Sequence, residues 1–581
     1  MLRNGAVALL LACAFALSLF YRSYEDPLQF PVMALLAGGF LLALPRREIS
    51  LPSSATVVAL IALTVLTLLT FAVSTIPFSS QIALCVFIAL PLTFFTTSCI
   101  VAAKARQDVL IFALPVFLIL SFWAIAQSLF TGMRAPGPFL DPNMLAAILS
   151  IGLLCATGFA LEKKKPVYTL PAFILFSGLI ATGSRSGLAA SMIAMATLIF
   201  ASGIRLSRKT LIQMALIALS VLLLLGASLL HQLGNIANLA APSVTDRLDL
   251  WHAAWQIALA HPFFGTGPGT FHFYYPAWRM PADQSLGNFA HSDPLQMAAE
   301  MGFAAPVLLY GLLLCVFLHT RAAVKRTVNE TQRLAILTPF AALLTVALQA
   351  HINYPLYLLP VMIACGVLLA LWHRATFLVT GEGVTSLTLS RRSQIFTVSG
   401  GLLLALCVLG LSFTASAGFY YLKKSREAAD PQTVLIALGH AEIRGPLSFI
   451  DPEVEMARTN LHLLNQTDNI KSEKLKRTLL AETKRLLDNA AYWNPAWAEI
   501  DFLRGQMEQT EGSKLLMVTD WKEALRKNPM HFAARENLAE ALLAEGRRDD
   551  AINIVTGGLQ YPHTIAYREW AVAFLMERKS P

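Results

Sequence analysis

The chain has 581 residues, 56% of them hydrophobic and only 14% charged, with a formal net charge of +9. Such a balance excludes an ordinary soluble globular protein. The positive excess sits on loops between apolar runs, so it reads as a membrane-topology signal and gives no ground for a nucleic-acid partner.

From residue 5 to about residue 421, apolar runs of roughly 17 to 25 residues follow one another, each long enough to cross a bilayer as a helix. About thirteen spans are expected, centred near residues 12, 37, 65, 92, 119, 152, 174, 195, 221, 310, 341, 364 and 408. The first follows Arg3, lacks a clear small-residue cleavage site and leads into further spans, so it is expected to be retained. Residues 1–421 carry 23 lysines and arginines, and eighteen fall on one set of alternate loops. These are Arg3, Arg46, Arg47, Lys104, Arg106, Lys163, Lys164, Lys165, Arg205, Arg208, Lys209, Arg321, Lys325, Arg326, Arg333, Arg374, Arg391 and Arg392. By the positive-inside rule those loops and the N-terminus are cytoplasmic. Arg22, Arg134, Arg185, Arg247 and Arg279 remain for the outer face. A cation placed against the topological bias needs a reason, which makes these candidate functional residues. The seven cysteines all lie in apolar runs; they suggest buried packing, with no disulfide framework and no thiol metal site.

In chain order, the first outer motif is "MRAPGPFLDPNMLAAIL", residues 133 to 149. Asp141-Pro142-Asn143 caps the sixth span, and Arg134 lies upstream in a stiff proline-rich loop; capping alone would account for Asp141 equally well. Next comes "ATGSRSGLAA", residues 181 to 190. Its glycines and the pair Ser184 and Ser186 make a tight turn with Arg185 at the tip, a planar fork suited to phosphate oxygens. A long outer loop covers roughly residues 232–292. Within it Arg247, Trp251 and Trp255 are four apart, as on an amphipathic interfacial helix. Gly265, Gly267 and Gly269 lack the βαβ context of a nucleotide fold and suit a turn passing close to a ligand or another loop. Arg279 follows in the same loop.

"NFAHSDPLQMAAEMG", residues 288 to 302, places His291 before a helix capped by Ser292 or Asp293 and opened by Pro294. That helix is expected to run to about Phe317, roughly 35 Å at 1.5 Å per residue. Its N-terminus would favour anions, and Gln296 and Glu300, four apart, would face the bundle or a water-filled cleft. "QAHINYPLYLLP", residues 349 to 360, adds His351 at an outer turn. An interfacial structural role suits it as well as a functional one. A soluble helical tail, residues 422–581, repeats Asn494-Pro495 as Asn528-Pro529 after 34 residues. With Leu538, Ala539, Leu542, Gly546 and Ala551, this spacing suits paired-helix tetratricopeptide repeats.

Taken together, these residues resemble the O-antigen ligase and polymerase superfamily, including the bacterial O-oligosaccharyltransferases. The resemblance rests on Asp141-Pro142-Asn143, Gly183–Gly187, Arg247 with Trp251, Pro262 with Gly265, Gly267 and Gly269, and His291 with Gln296, Glu300 and Gly302. It covers roughly residues 30–375 and implies an all-α polytopic bundle (residues 1–421) in a bacterial inner membrane, with the long loop and tail periplasmic. The implied donor is a glycan on undecaprenyl pyrophosphate, handled at the periplasmic face. Lipid A-core, a protein hydroxyl or another glycan chain is the implied acceptor, the last making a polymerase. The residue reading agrees: Arg185 and Arg247 can stabilise a diphosphate leaving group, and His291, with an ordinary pKa near 6.5, can take the acceptor proton. Arg134, Asp141, Asn143, Ser184, Ser186, Arg279, Asp293, Gln296, Glu300 and His351 are weaker supporting candidates. No metal is expected, since no carboxylate or histidine cluster has metal-ligand spacing, and no cofactor, since the lipid pyrophosphate bond is already activated. No Rossmann-like region could hold a nucleotide sugar, so the donor should arrive from the bilayer. Membrane lipids, and a protein partner at the repeats, complete the expected partners. A transporter is the alternative of another class, though its inverted repeats and midplane polar groups are not visible.

Overall fold

A computed structural model of the chain describes residues 2–20, 28–44, 48–100, 103–204, 242–281, 283–381, 384–388, 390–466 and 473–576. Eight helices come first: α1 (Leu2–Ser18), α2 (Gln29–Ala43), α3 (Ala55–Ala72), α4 (Pro77–Cys99), α5 (Ala103–Thr131), α6 (Pro142–Lys163), α7 (Thr169–Ala181) and α8 (Arg185–Ser202). After α9 (Pro242–Ala260) and α10 (Asp293–Met301) come α11 (Ala304–Arg326), α12 (Glu330–Gln349), α13 (Leu359–Thr380) and α14 (Arg391–Glu427). Among the described residues nine helices are long and apolar enough to cross a membrane, and α1, α2 and α7 are shorter apolar helices. The protein is a multi-pass helical membrane protein. Twelve of the expected span centres fall on these helices. The ninth, near residue 221, lies outside the described residues, as do Arg22, Arg46, Arg47, Arg205, Arg208, Lys209 and positions 232–241.

Burial identifies the hub. The apolar windows of α4, α6 and α13 are 67%, 67% and 78% buried, against 28% for α3, α5 and α11. Lipid tails are as apolar as leucine, so helices must attract one another by close packing, and small residues allow it. Gly366 of α13 is such a point: a Cβ there would overlap Thr93 Oγ1 and the Leu90 carbonyl of α4. Gly158 of α6 meets Thr338 of α12 in the same way. Cys85 and Cys365 are buried, whereas Cys13, Cys99 and Cys407 are exposed on the bundle surface. Packing therefore explains only part of the cysteine set, since a surface facing lipid accepts a thiol as readily as a core does.

The two ends of the bundle differ in charge. At one end Lys164 Nζ lies 2.6 Å from Glu330, and Arg333 donates to the carbonyls of Ser202 (3.2 Å) and Thr327 (2.9 Å). There too β1 (Glu48–Pro52) pairs antiparallel with β2 (Val384–Thr388), Glu48 opposite Thr388. The turns carrying Arg134, Arg185 and His291 gather at the other end, joined by hydrogen bonds described below.

The expectation of one helix from the Ser292–Pro294 turn to Phe317 is not met. Helix α10 stops at Met301, and Gly302, with φ 76° and ψ 171°, turns the chain into α11. That conformation is essentially restricted to glycine. A Cβ at Gly302 would also overlap the Phe263 carbonyl, and the Phe303 N–H donates to the Pro262 carbonyl at 3.0 Å. Contact with the long loop, invisible in helical periodicity, thus breaks the helix. Replacing Gly302 by alanine should destabilise the protein by about 1–3 kcal/mol. A thermal melt of the detergent-purified chain reads this, and an unchanged midpoint would show that the break is not held by this residue.

Helix α14 is 37 residues long and continues past residue 421 without interruption. Phe419 and Leu422 at its far end pack with Phe78 and Ile82 of α4 and with Phe449. Beyond it lie α15 (Pro431–Arg444), α16 (Asp451–Gln466), α17 (Glu473–Trp493), α18 (Ala498–Glu511), α19 (Lys514–Lys527), α20 (Phe532–Ala544), α21 (Arg548–Gly558) and α22 (Ile565–Met576). Helices α16 to α22 share one apolar core that includes Leu487, Trp521, Leu538 and Tyr567. The Asn-Pro repeat has a local counterpart. Asn494 N–H donates to Ala490 and Asn528 N–H to Ala524, at 2.9 and 2.8 Å. Their side chains accept from Ala496 N (3.2 Å) and Met530 N (3.0 Å). Each asparagine closes one helix and starts the turn to the next.

Candidate active site

Five segments meet at the end opposite the basic loops. Asp141 is the N-cap of α6, its Oδ1 accepting from Asn143 N at 2.8 Å, as Asp-Pro at a helix start dictates. Ser184 caps α8, accepting from Gly187 N at 3.2 Å, so Arg185 becomes the first helical residue. These caps are tied together: Ser184 Oγ donates to Asn143 Oδ1 at 2.7 Å. Arg134 donates to Asn143 Oδ1 (3.2 Å) and to the Thr182 carbonyl (3.1 Å). From the α12–α13 turn, Asn353 donates to Ser186 Oγ at 2.8 Å and Tyr354 donates to Asp141 Oδ2 at 3.2 Å. The Tyr354 ring stacks on Phe289 at 4.0 Å and meets the edge of His291 at 5.0 Å. Trp251 of α9 donates its indole N–H to the His291 carbonyl at 3.3 Å.

The charges converge as well. Burial lowers the Arg134 and Arg247 guanidinium pKa values; Asp141 raises both, while the neighbouring Arg185 lowers both. Arg134, Arg185, Arg247 and Asp141 are therefore within Coulombic reach of one another. Three guanidiniums against one carboxylate leave a pocket of positive potential, which suits an anion carrying about two charges. The arginines remain protonated regardless of these shifts.

His291 is buried enough that its imidazole pKa falls from 6.5 to about 4, with the Arg247 charge contributing and Asp141 opposing. The imidazole is thus neutral at neutral pH and free to accept a proton. Its Nδ1 is buried without a hydrogen-bond partner among the described residues. His291 also has φ 52°, a left-handed conformation in which a non-glycine residue is strained. Two consequences for the pH dependence follow from burial at this site. Protonation occurs only below about pH 4, so kcat/KM should show no inflection near 6.5 from this residue. Burial raises the Glu300 carboxyl to about 7, so an inflection there belongs to Glu300 and should disappear in Glu300→Gln. A pH profile of kcat/KM checks both, and a histidine-like limb near 6.5 that survives in Glu300→Gln would contradict this picture.

Glu300, Gln296 and Asp293 are all buried, but they hold main chain together rather than facing a cleft. Glu300 accepts from Gly269 N (2.7 Å), Phe271 N (3.1 Å) and Tyr357 OH (2.8 Å), and Gln296 Nε2 donates to it at 3.0 Å. Asp293 Oδ2 accepts from Leu356 N at 2.9 Å. The glycine run docks on protein: Cβ atoms at Gly265 and Gly267 would overlap the Glu300 backbone and Ser74, respectively. The helix N-terminus offers fewer anion donors than expected. Asp293 N–H is taken by the Ala350 carbonyl at 2.7 Å, and Pro294 has no N–H. Positive charge for an anion must come from the guanidiniums.

Two expected residues are elsewhere. The Arg279 guanidinium lies over the Tyr275 ring at 4.7 Å and donates to Met530 Sδ at 3.0 Å, a contact between the long loop and the C-terminal helices. Phe273 and Trp497 approach across the same junction, ring centroids 6.2 Å apart. His351 is exposed and pairs with Tyr310 OH at 3.1 Å and the Ala347 carbonyl at 2.9 Å. Trp251, noted beside Arg247 in the sequence, joins the cluster through the His291 carbonyl, whereas Asn353 and Tyr354 belong to it without having been singled out for it. The only sequence signal was the asparagine and tyrosine before Pro355, where a span must restart.

Residues 170–310 match the family model described as O-antigen ligase. Over this segment, about a quarter of the chain, the protein is similar to the O-antigen ligase family. The matched segment contains Arg185, Arg247, His291, Gln296 and Glu300, and the turns of Arg134, Asp141 and Tyr354 close around it from outside. A comparison with curated proteins finds none that matches. The similarity supports an O-antigen ligase- or polymerase-type function in general terms.

Proposed function

We propose that the protein transfers a glycan from undecaprenyl pyrophosphate to an acceptor hydroxyl, on lipid A-core or on a protein, at the periplasmic face of a bacterial inner membrane. The reading rests on one observation above all: hydrogen bonds join Arg134 and Ser184, the residue before Arg185, through Asn143, and Tyr354 links Asp141 to the His291 ring, with Arg247 close enough to act on that imidazole. In this reading the basic loops are cytoplasmic, the long loop is periplasmic, and residues 422–581 form a periplasmic, tetratricopeptide-like domain that receives a protein partner.

The acceptor oxygen forms a bond to the anomeric carbon as the bond from that carbon to the pyrophosphate oxygen breaks. Undecaprenyl pyrophosphate departs with the bonding electrons, and the arginines stabilise its growing charge. The acceptor proton passes to the neutral His291 imidazole. Before the donor binds, Arg247 helps to keep the imidazole a weak base. A diphosphate beside Arg247 offsets that charge and raises the imidazole pKa as the donor arrives. Base strength thereby follows donor occupancy. Arg134 and Arg185 place further charge on the same side, and Asp141 limits the excess.

Purified protein is incubated with undecaprenyl-pyrophosphate-linked oligosaccharide and with lipid A-core, a hydroxyl-bearing protein or unextended lipid-linked glycan, one acceptor at a time. Mass spectrometry should find the glycan on lipid A-core or protein. Growth of lipid-linked chains alone would identify a polymerase, and an inert mixture in every arm would overturn glycan transfer.

A further inference from the structure

His291 occupies its left-handed backbone conformation with main-chain contacts on both sides. The preceding residue, Ala290, donates its N–H to Gln296 Oε1 at 2.9 Å. The carbonyl of His291 itself accepts from the Trp251 indole at 3.3 Å. Gln296 is in turn fixed by its second hydrogen bond to Glu300, whose carboxylate is anchored by two backbone N–H groups and Tyr357. Gln296 and Glu300 are 1% and 0% exposed, so these bonds do not exchange with water.

We propose that Gln296, braced by Glu300, and Trp251 form a main-chain clamp that holds His291 in its strained turn and aims the imidazole toward Arg247. They are positioning residues; none needs to touch substrate. The physical argument is one of balance. A left-handed non-glycine residue carries strain energy and relaxes unless its neighbours over-determine it. Two side-chain hydrogen bonds to main chain, one on each side of the residue, can offset that strain. The clamp also explains why a glutamine and a glutamate are buried beside apolar helices: they satisfy each other and a loop, leaving no group unpaired. Its effect on rate rests on the transfer reaction proposed above, whereas its effect on the imidazole does not.

Full-length Gln296→Met and Trp251→Phe, each removing one jaw at near-constant volume, are compared with the wild type by two readouts. Transfer from undecaprenyl-pyrophosphate-linked oligosaccharide to the acceptor used by the wild type should lose about 100-fold in kcat with KM unchanged, as a misaimed base requires. Gln296→Glu keeps an oxygen facing the Ala290 N–H but loses the donor to Glu300, so it should recover rate only at acid pH, where one of the two facing carboxyls carries a proton. Independently, diethylpyrocarbonate should modify His291 several-fold faster in Gln296→Met and Trp251→Phe, read by peptide mass spectrometry. Variants that melt as the wild type does, keep kcat and protect His291 would overturn the clamp. So would a loss of rate that merely tracks the folded fraction. If Gln296→Met does not fold, Trp251→Phe decides. Retained transfer in His291→Ala would instead defeat the assigned base, while the modification rates would still judge the clamp.

Discussion

Replacing His291 by alanine is expected to lower glycan transfer by about 10²–10⁴-fold, the span a positioned general base contributes. The imidazole is the neutral nitrogen base against the arginine cluster, and its Nδ1 lacks a partner among the described residues. Folding should survive. Alanine keeps the left-handed strain but removes a buried polar group, and His291→Gly, which tolerates φ 52°, should melt at least as high as the wild type. Transfer per folded molecule, followed with lipid-linked oligosaccharide, gives the answer. Added imidazole should partly restore His291→Gly if the missing function is proton transfer. An alanine variant with wild-type kcat would remove His291 from the reaction.

Arg247→Ala should cost about 10²–10³-fold in kcat, comparable to removing one preorganised charge-stabilising group. Lysine should restore only part of this, because an ammonium lacks the planar fork that meets two phosphate oxygens. A second effect goes in a predictable direction. Arg247 is the leading charge lowering the His291 pKa, so its loss must raise that pKa toward the ordinary value. The acid limb of kcat/KM should move up from about 4 toward 6.5 in Arg247→Ala. Steady-state rates across pH test both parts. Full activity, or an acid limb that stays in place, would mean that Arg247 and His291 do not share a pocket.

Much of this was legible in the sequence because membranes write plainly. Long apolar runs and uneven lysine and arginine placement are dictated by the hydrocarbon and by insertion, so the spans around α4, α6 and α13 and the two unlike ends could be anticipated. Arg185 and Arg247 stood out for the same reason, as cations against the bias. What periodicity could not carry was long-range contact. Gly302 breaks a helix because carbonyls from residues 262 and 263 lie where a side chain would go. For Glu300 and Gln296 the bundle and a water-filled cleft both stayed open, since spacing shows which face they share but not what covers it. Tyr354 and Asn353 entered the cluster through partners more than 150 positions away, Asp141 and Ser186. Arg279 carried the same topological signal as Arg185, yet it serves a junction between the loop and the C-terminal helices.

Helix α14 has an architectural consequence. Its 37 residues extend about 55 Å at 1.5 Å per residue, against about 30 Å of hydrocarbon. The surplus makes it a stalk, and a stalk fixes azimuth as well as height. One inserted residue would swing everything beyond it through about 100° and lift it by about 1.5 Å. Met530 would then point away from Arg279, and the C-terminal helices would address a different sector of the membrane surface. The phase of a single continuous helix thus decides which way the C-terminal helices look.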